Sequence, residues 1–253
     1  MKANPRPRQD RSSVTPAPAT TPGVGNVKGV NYDGKVEVGG PWQVQDSAQL
    51  EIRKLAVGFL DNNCYLLRDK ATGQTLLIDA AAESGRILDM CDGQLDAVLT
   101  THCHPDHFQA LQDVVEQTGA ETYASEPEAT LIPVRTDHLL SDGSVLQLGQ
   151  ANIELVELVG HKRLGSEHIS TSLAAIYRDP DGSTHTFTGD ALFPGGIGNT
   201  CDDPAAYSTL LNDVASKLFA KLPDRTVVYP GHGWDTTIGA ERPSLQVWAN
   251  RHW

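Results

Sequence analysis

Three of the nine histidines in this chain fall within six residues, in Thr101-His102-Cys103-His104-Pro105-Asp106-His107, with an aspartate among them. Neutral imidazole and carboxylate are the ligands that zinc and similar ions take. Side chains of this kind need a rigid mount. The apolar run Leu95–Thr100 reads as a buried strand leading into the cluster, and Phe108–Gly119 follows with Leu111, Val114 and Val115 at helical spacing. The cluster therefore occupies a strand-to-helix turn, where a strand end can aim several side chains at one point. His102 and His104, two apart on extended backbone, point the same way, and Cys103 between them points away as a small buried side chain. Asp106 and His107 stand at the helix start and face a second point. The competing reading is a polar loop with accidental histidines. Four ligand-type residues in six positions at the end of an apolar strand favour metal binding over it.

The elements that must position this cluster come from the rest of the chain. Residues 1–27, rich in Pro, Ala, Thr and Ser, cannot bury enough surface to offset ordering entropy and are expected to form a disordered tail. Val30–Gln49 is Gly-rich and reads as an irregular wrap. Beyond it, hydrophobic residues are spread evenly (39% of the whole chain), so residues 28–253 are expected to form a single domain. Glu51–Val57, Asn63–Arg68, Thr75–Asp79, Glu121–Ala124, Ser144–Leu148, Asn152–Leu158, Ser170–Tyr177, Thr184–Thr188 and Thr226–Tyr229 read as strands, with turn signals at Ala71–Gln74 and Asp179–Gly182. Helices are expected over Glu83–Cys91, from Asp203 to about Leu222, and over Glu241–Arg251, with a helical turn at Ser125–Leu131. Pattern alone allows two packed sheets with helices outside or a doubly wound sheet.

Charge and cysteine usage exclude some classes. A net charge of −12 disfavours a phosphate backbone as partner, so no nucleic acid is expected. Cys64, Cys91, Cys103 and Cys201 form no Cys-x-x-Cys pair and no disulfide framework, which fits reduced thiols in a cytoplasm. The lack of a long apolar run speaks against a membrane span, and Lys2, Arg6, Arg8 and Arg11 have no apolar stretch behind them as a secretory signal would.

His102-Cys103-His104-Pro105-Asp106-His107 resembles the His-x-His-x-Asp-His signature of the metallo-β-lactamase-fold hydrolases. The chain also carries, in family order, Gly160-His161, Gly189-Asp190-Ala191-Leu192-Phe193 and Pro230-Gly231-His232-Gly233. The resemblance runs from about Leu50 to the C-terminus, and the last two segments lean toward the thioester-cleaving, glyoxalase II-like branch. It implies an α/β fold of the αββα sandwich type, two packed mixed sheets with helices outside. It implies one ion on His102, His104 and His161, a second on Asp106, His107 and His232, and Asp190 bridging them, with Asp106 and Asp190 the catalytic carboxylates. Zinc is the first expectation, iron or manganese the alternatives. Two such ions about 3.5–4 Å apart lower the pKa of a shared water and polarise a carbonyl, so a bridging hydroxide can cleave a small thioester, ester or lactone. No Gly-x-Ser-x-Gly elbow supports a serine nucleophile instead.

The remaining polar residues have weaker claims. His138, His185 and His252 match no motif position and are expected at the surface or in structural roles. His168 is a candidate pocket residue, Asp79 a partner for a ligand imidazole, and Tyr207 fits pocket or core equally. The loop His161-Lys162-Arg163-Leu164-Gly165-Ser166 departs from the family's Thr-Pro-Gly-Ser, so Lys162 and Arg163 either meet an anionic substrate or are solvated. Only 21 residues follow His232, where glutathione-thioester hydrolases of the family carry a longer helical segment, so glutathione specificity is not carried over. Two alternatives remain: a mononuclear iron persulfide dioxygenase of the same fold, which uses fewer ligands, and a non-catalytic metal-binding protein.

Overall fold

A strand covered on both faces reads as a continuous apolar run rather than an alternating one. Thr75–Ile78 is such a strand, buried at every position, and it lies inside a layered structure. The computed structural model describes residues 30–251; the expected tail over 1–27 and His252 lie outside them. The first sheet has eight strands in chain order: β1 (Val30–Asn31), β2 (Gln43–Asp46), β3 (Leu50–Val57), β4 (Asn62–Asp69), β5 (Thr75–Ile78), β6 (Ala97–Leu99), β7 (Glu121–Ser125) and β8 (His138–Leu140). β2 to β5 pair antiparallel, and β5 to β8 pair parallel. The second sheet is built from β9 (Val145–Leu148), β10 (Ala151–Lys162), β11 (Ile169–Arg178), β12 (Thr184–Gly189), β15 (Val227–Pro230) and β16 (Thr236–Thr237), in the order β16-β15-β12-β11-β10-β9. A two-stranded ribbon, β13 (Leu192–Phe193) with β14 (Gly196–Ile197), follows β12.

Side-chain alternation divides the apolar residues among three layers. Leu50, Ile52, Leu67, Leu76 and Leu99 of the first sheet meet Ile153, Leu155, Leu173 and Phe187 of the second. The opposite faces are covered by helices. Leu66 and Leu77 pack on α1 (Ser84–Met90) and α2 (Leu111–Thr118) through Ile87, Met90, Leu111 and Val114. Val156, Leu158 and Ile176 pack on α4 (Pro204–Asp213) and the turns after it through Leu210, Val214 and Leu218. The order helix, sheet, sheet, helix is the αββα sandwich, and the doubly wound alternative is excluded. Each of these leucines and isoleucines contributes roughly 1.5–3 kcal/mol by leaving water, so a slip of one residue in any strand would be costly. Among the described residues no helix is long and apolar enough to cross a membrane.

Several elements differ from their sequence expectation. The Gly-rich wrap contributes β1 and β2 to the first sheet, and Gln43 is buried because its side chain closes the Asp33–Lys35 turn. The strand before the histidine cluster is only Ala97–Leu99, and Pro105–His107 form a separate 3₁₀ turn ahead of α2. The helix begun at Asp203, whose carboxylate accepts from the amides of Ala205 and Ala206, widens to a π-helical stretch over Val214–Phe219. The C-terminal helix is broken into α5 (Ile238–Glu241), a 3₁₀ turn at Arg242–Ser244 and α6 (Leu245–Ala249). Pro243 lacks the amide hydrogen a continuous helix would need. β8 was not legible: it is a three-residue edge, where His138 stacks on Tyr123 at 4.4 Å and pairs with Glu121.

Candidate metal centre

The strands that carry the expected ligands end on the same side of the sandwich. β5 and β6 run parallel, and so do β12 and β15, so Asp79, His102, Asp190 and His232 follow neighbouring carboxyl ends. His161 reaches the same rim from inside β10, where the register shifts between Val159 and Lys162. A bulge of this kind re-aims a side chain without ending the strand.

All seven expected residues converge. Ligand-type atoms of His102, His104 and His161 lie within 4.8 Å of one another, as do those of Asp106, His107 and His232, and those of His102, His107 and Asp190. Asp190 stands between the groups: Oδ1 is 3.4 Å from His107 Nε2, and Oδ2 is 3.4 Å from His161 Nε2 and 3.3 Å from His232 Nε2. The far nitrogens are anchored. His107 Nδ1 donates to Asp79 at 2.8 Å, His161 Nδ1 to the Asn199 carbonyl at 2.8 Å and His232 Nδ1 to the Leu60 carbonyl at 2.7 Å. These bonds aim each Nε2 inward. Asp79 also accepts from the amide and hydroxyl of Thr101, so it holds the whole ligand turn as well as one imidazole. Its expected supporting role is thus what the structure shows.

Three of the inner atoms are left without partners. Among buried side-chain atoms lacking any hydrogen bond are His102 Nε2, His107 Nε2 and Asp190 Oδ1. Orphaned buried polar atoms are costly unless something binds them. Their donor set of imidazole and carboxylate fits a divalent cation such as zinc. The titration behaviour agrees. Burial pushes His102 well down, His104 down to about 4 and His161 down, so these three are neutral and ready to ligate. Burial alone would also lower His107 and His232, but the Asp190 and Asp79 carboxylates lift His107 well up, and Asp106 and Asp190 raise His232 to about 10. Against burial, the same contacts hold Asp106 and Asp190 below the usual carboxylate range. Protons on His107 and His232 offset the carboxylates, and metal binding would displace them.

Glycine is required beside the carboxylate. A Cβ at Gly231 would overlap Asp190 Oδ1 and lie 2.8 Å from His107 Cε1, which is the steric reason for the Pro-Gly-His order. Residues that sequence reasoning did not single out complete the mount. Asn62 Nδ2 donates to Asp106 at 3.0 Å, and Asn63 Nδ2 and the Tyr65 hydroxyl hold the Pro230 carbonyl at 2.9 and 2.7 Å. Fully buried Lys54 donates to the Gly233 carbonyl and pairs with Asp235 at 2.7 Å, fixing the loop that carries His232. Nothing local in Leu50–Asp69 marks these partners, which lie 44 residues away for Asn62 and between 165 and 181 for the others.

Of the other candidates, Lys162 pairs with Asp203 at 3.1 Å, and Arg163 is exposed. His185 is buried and bonded to the Tyr229 hydroxyl. His168 bonds Glu128 at 2.8 Å and is not one of the seven converging residues. Tyr207, half-buried and outside the core clusters, helps line a cavity of about 370 Å³ with Phe193, Ile197, Asn199 and Thr200, and its hydroxyl donates to the Trp248 carbonyl. One of its lining residues, Asn199, is the one whose carbonyl holds His161.

Fold and site together define a metal-dependent hydrolase with its centre at the strand ends of an αββα sandwich. The chain belongs to the metallo-beta-lactamase superfamily, whose family model matches residues 57–232. It is 33% identical over 191 residues to a hydroxyacylglutathione hydrolase of Mesorhizobium japonicum, covering 74% of this chain and 68% of that one. It is 29% identical over 218 residues to the hydroxyacylglutathione hydrolase GloC of Haemophilus influenzae, covering 77% and 96%. Among solved structures, ETHE1 from Myxococcus xanthus matches with a TM-score of 0.63 at 28% identity, covering 79% of this chain and 90% of that one. The expectation of a glyoxalase II-like metallo-hydrolase is therefore met at the level of family and enzyme class.

Proposed function

We propose that the protein hydrolyses a small thioester, ester or lactone at a centre of two divalent ions, zinc in the first instance, with iron or manganese as alternatives. The observation that carries this reading is the convergence of seven ligand-type side chains whose inner buried atoms include three with no partner. His102, His104 and His161 would hold one ion, Asp106, His107 and His232 the other, and Asp190 both. When bound, the ions would supply acidification of water and polarisation of the scissile carbonyl. The chain's own groups do the rest. Asp79, Asn199 and Leu60 fix the tautomers of three imidazoles through the bonds described above. Asn62 orients Asp106, the more open of the two carboxylates at 21% side-chain exposure against 11% for Asp190. Asp106, through the oxygen not bonded to Asn62, is thus the carboxylate placed to take a proton from the attacking water and hand it to the leaving group.

The cavity beside His161 suits a leaving group or acyl group of modest size. The relatives named hydroxyacylglutathione hydrolase support a thioester, with glutathione or another thiol leaving. The match to GloC spans 96% of that protein, so a longer C-terminal segment is not a precondition for the name, and the sequence argument against glutathione loses its weight. The dioxygenase alternative is disfavoured by the complete second set of Asp106, His107 and His232. Elemental analysis of protein purified without chelator, joined to assays on S-lactoylglutathione, an acyl lactone and a persulfide, tests the reading. Two ions with hydrolysis support it, whereas one iron with oxygen uptake on the persulfide would replace it.

A further inference from the structure

Behind the metal centre lies a second group of ligand-type residues, Cys103, Glu128 and His168, also within 4.8 Å of one another. Glu128, on the short helix α3 (Glu126–Ala129), is fully buried. Its Oε2 accepts from the Cys103 amide at 2.7 Å, between His102 and His104. Its Oε1 accepts from the Thr171 amide at 2.8 Å and from His168 Nε2 at 2.8 Å. One carboxylate thus joins the ligand turn, the start of β11 and the loop 163–168 that follows His161. The adjoining contacts run the same way: Ser125 Oγ donates to the Thr171 carbonyl at 3.1 Å, and Ser170 Oγ lies 3.4 Å from His104 Nε2.

The group could be read as a further metal site, but its hydrogen bonding says otherwise. At the seven-residue centre three buried inner atoms, His102 Nε2, His107 Nε2 and Asp190 Oδ1, have no partner, whereas both Glu128 oxygens and His168 Nε2 are bonded within the protein. A buried carboxylate satisfied by charge-assisted bonds is a strong local tie. We propose that Glu128 is a positioning residue and His168 its latch, holding the loop 163–168 in register with the His102–His104 turn so that the conformation of this loop and the ligand geometry are set together. The part of this that concerns ligand geometry rests on the assignment of His102, His104 and His161 as ligands; the latch itself does not.

The test uses the full-length protein and the variants His168→Ala, His168→Gln and Glu128→Ala. Three quantities are read: amide hydrogen exchange over 163–171, metal content, and kcat and KM for thioester hydrolysis. His168→Ala should speed exchange over 163–168, leave metal stoichiometry unchanged, and raise KM by about tenfold with a much smaller change in kcat. His168→Gln, which keeps a donor for Glu128, should restore most of both the protection and the KM. Glu128→Ala, where it folds, should weaken metal affinity by roughly 10- to 100-fold, because the Cys103 amide is orphaned. Unchanged exchange and KM in His168→Ala would overturn the latch, and loss of a metal equivalent in that variant would show a third metal site instead. Should the parent protein hold no metal, the hydrolase reading fails, while the exchange comparison still decides the latch.

Discussion

Replacing Asp190 by Asn keeps the shape of the side chain and removes only its charge. Asp190 lies 3.3–3.4 Å from the inner nitrogens of His107, His161 and His232, and its side chain is 11% exposed. One unit charge acting on another at 3.4 Å is worth about 5 kcal/mol at an effective dielectric of about 20. Even half of that corresponds to about sixtyfold in affinity for a monovalent charge, and each ion would carry two. An amide would also leave two close dications uncompensated. Asp190→Asn should therefore lose at least about a hundredfold in metal affinity at both positions together and nearly abolish hydrolysis. Asp190→Ala should behave the same way. Asp181→Ala, in the exposed turn where Asp181 accepts from the Ser183 amide, should keep its metal and its rate. The assay is metal titration and hydrolysis rate for all three variants, with folding checked by circular dichroism. Normal metal loading and turnover in folded Asp190→Asn would refute the shared-carboxylate assignment and the two-ion mechanism with it.

Gly231→Ala should fold but lose metal at the Asp190 position, since its Cβ would overlap Asp190 Oδ1; a calorimetric metal titration against the parent protein checks this. The metal-free protein should be stable near neutrality and weaken as pH falls below about 6.5, because unfolding lets His102, His104 and His161 take up protons that burial denies them. For His104, whose folded value is near 4, full passage through that window costs about 3 kcal/mol; His107 and His232, shifted upward, instead favour the folded state below about 6.5, a contribution lost as pH rises toward 10. Denaturant midpoints of chelator-treated protein between pH 4 and 10 measure both slopes, and a flat profile would contradict the assignment of these shifts to burial and charge. Removal of residues 1–27 should leave melting temperature and hydrolysis unchanged, which scanning calorimetry on the truncated chain decides.

Much of the site was legible because its information is local. His102, His104, Asp106 and His107 owe their convergence to spacing on a strand end and a single turn, and alternation within β3, β10 and β11 dictated which side chains enter which layer. Asp190 and His232 were recognisable only through the short segments around them, since strand-end position by itself does not say which ends meet. Asp79 was expected as a partner for a ligand imidazole, but which imidazole it meets, and most of what else holds these ligands, was decided by tertiary structure. Asp79 reaches His107 across 28 residues, Lys54 reaches Asp235 across 181, and Glu128 reaches both Cys103 and His168, 25 and 40 residues away. A buried charge is written in sequence as an ordinary Lys, Asp or Glu. Only the burial that surrounds it and the partner brought to it by sheet packing reveal that it is a structural tie and not a solvated surface group. The same physics explains the broken C-terminal helix and the edge strand β8: short elements with little apolar surface of their own take their form from what they pack against.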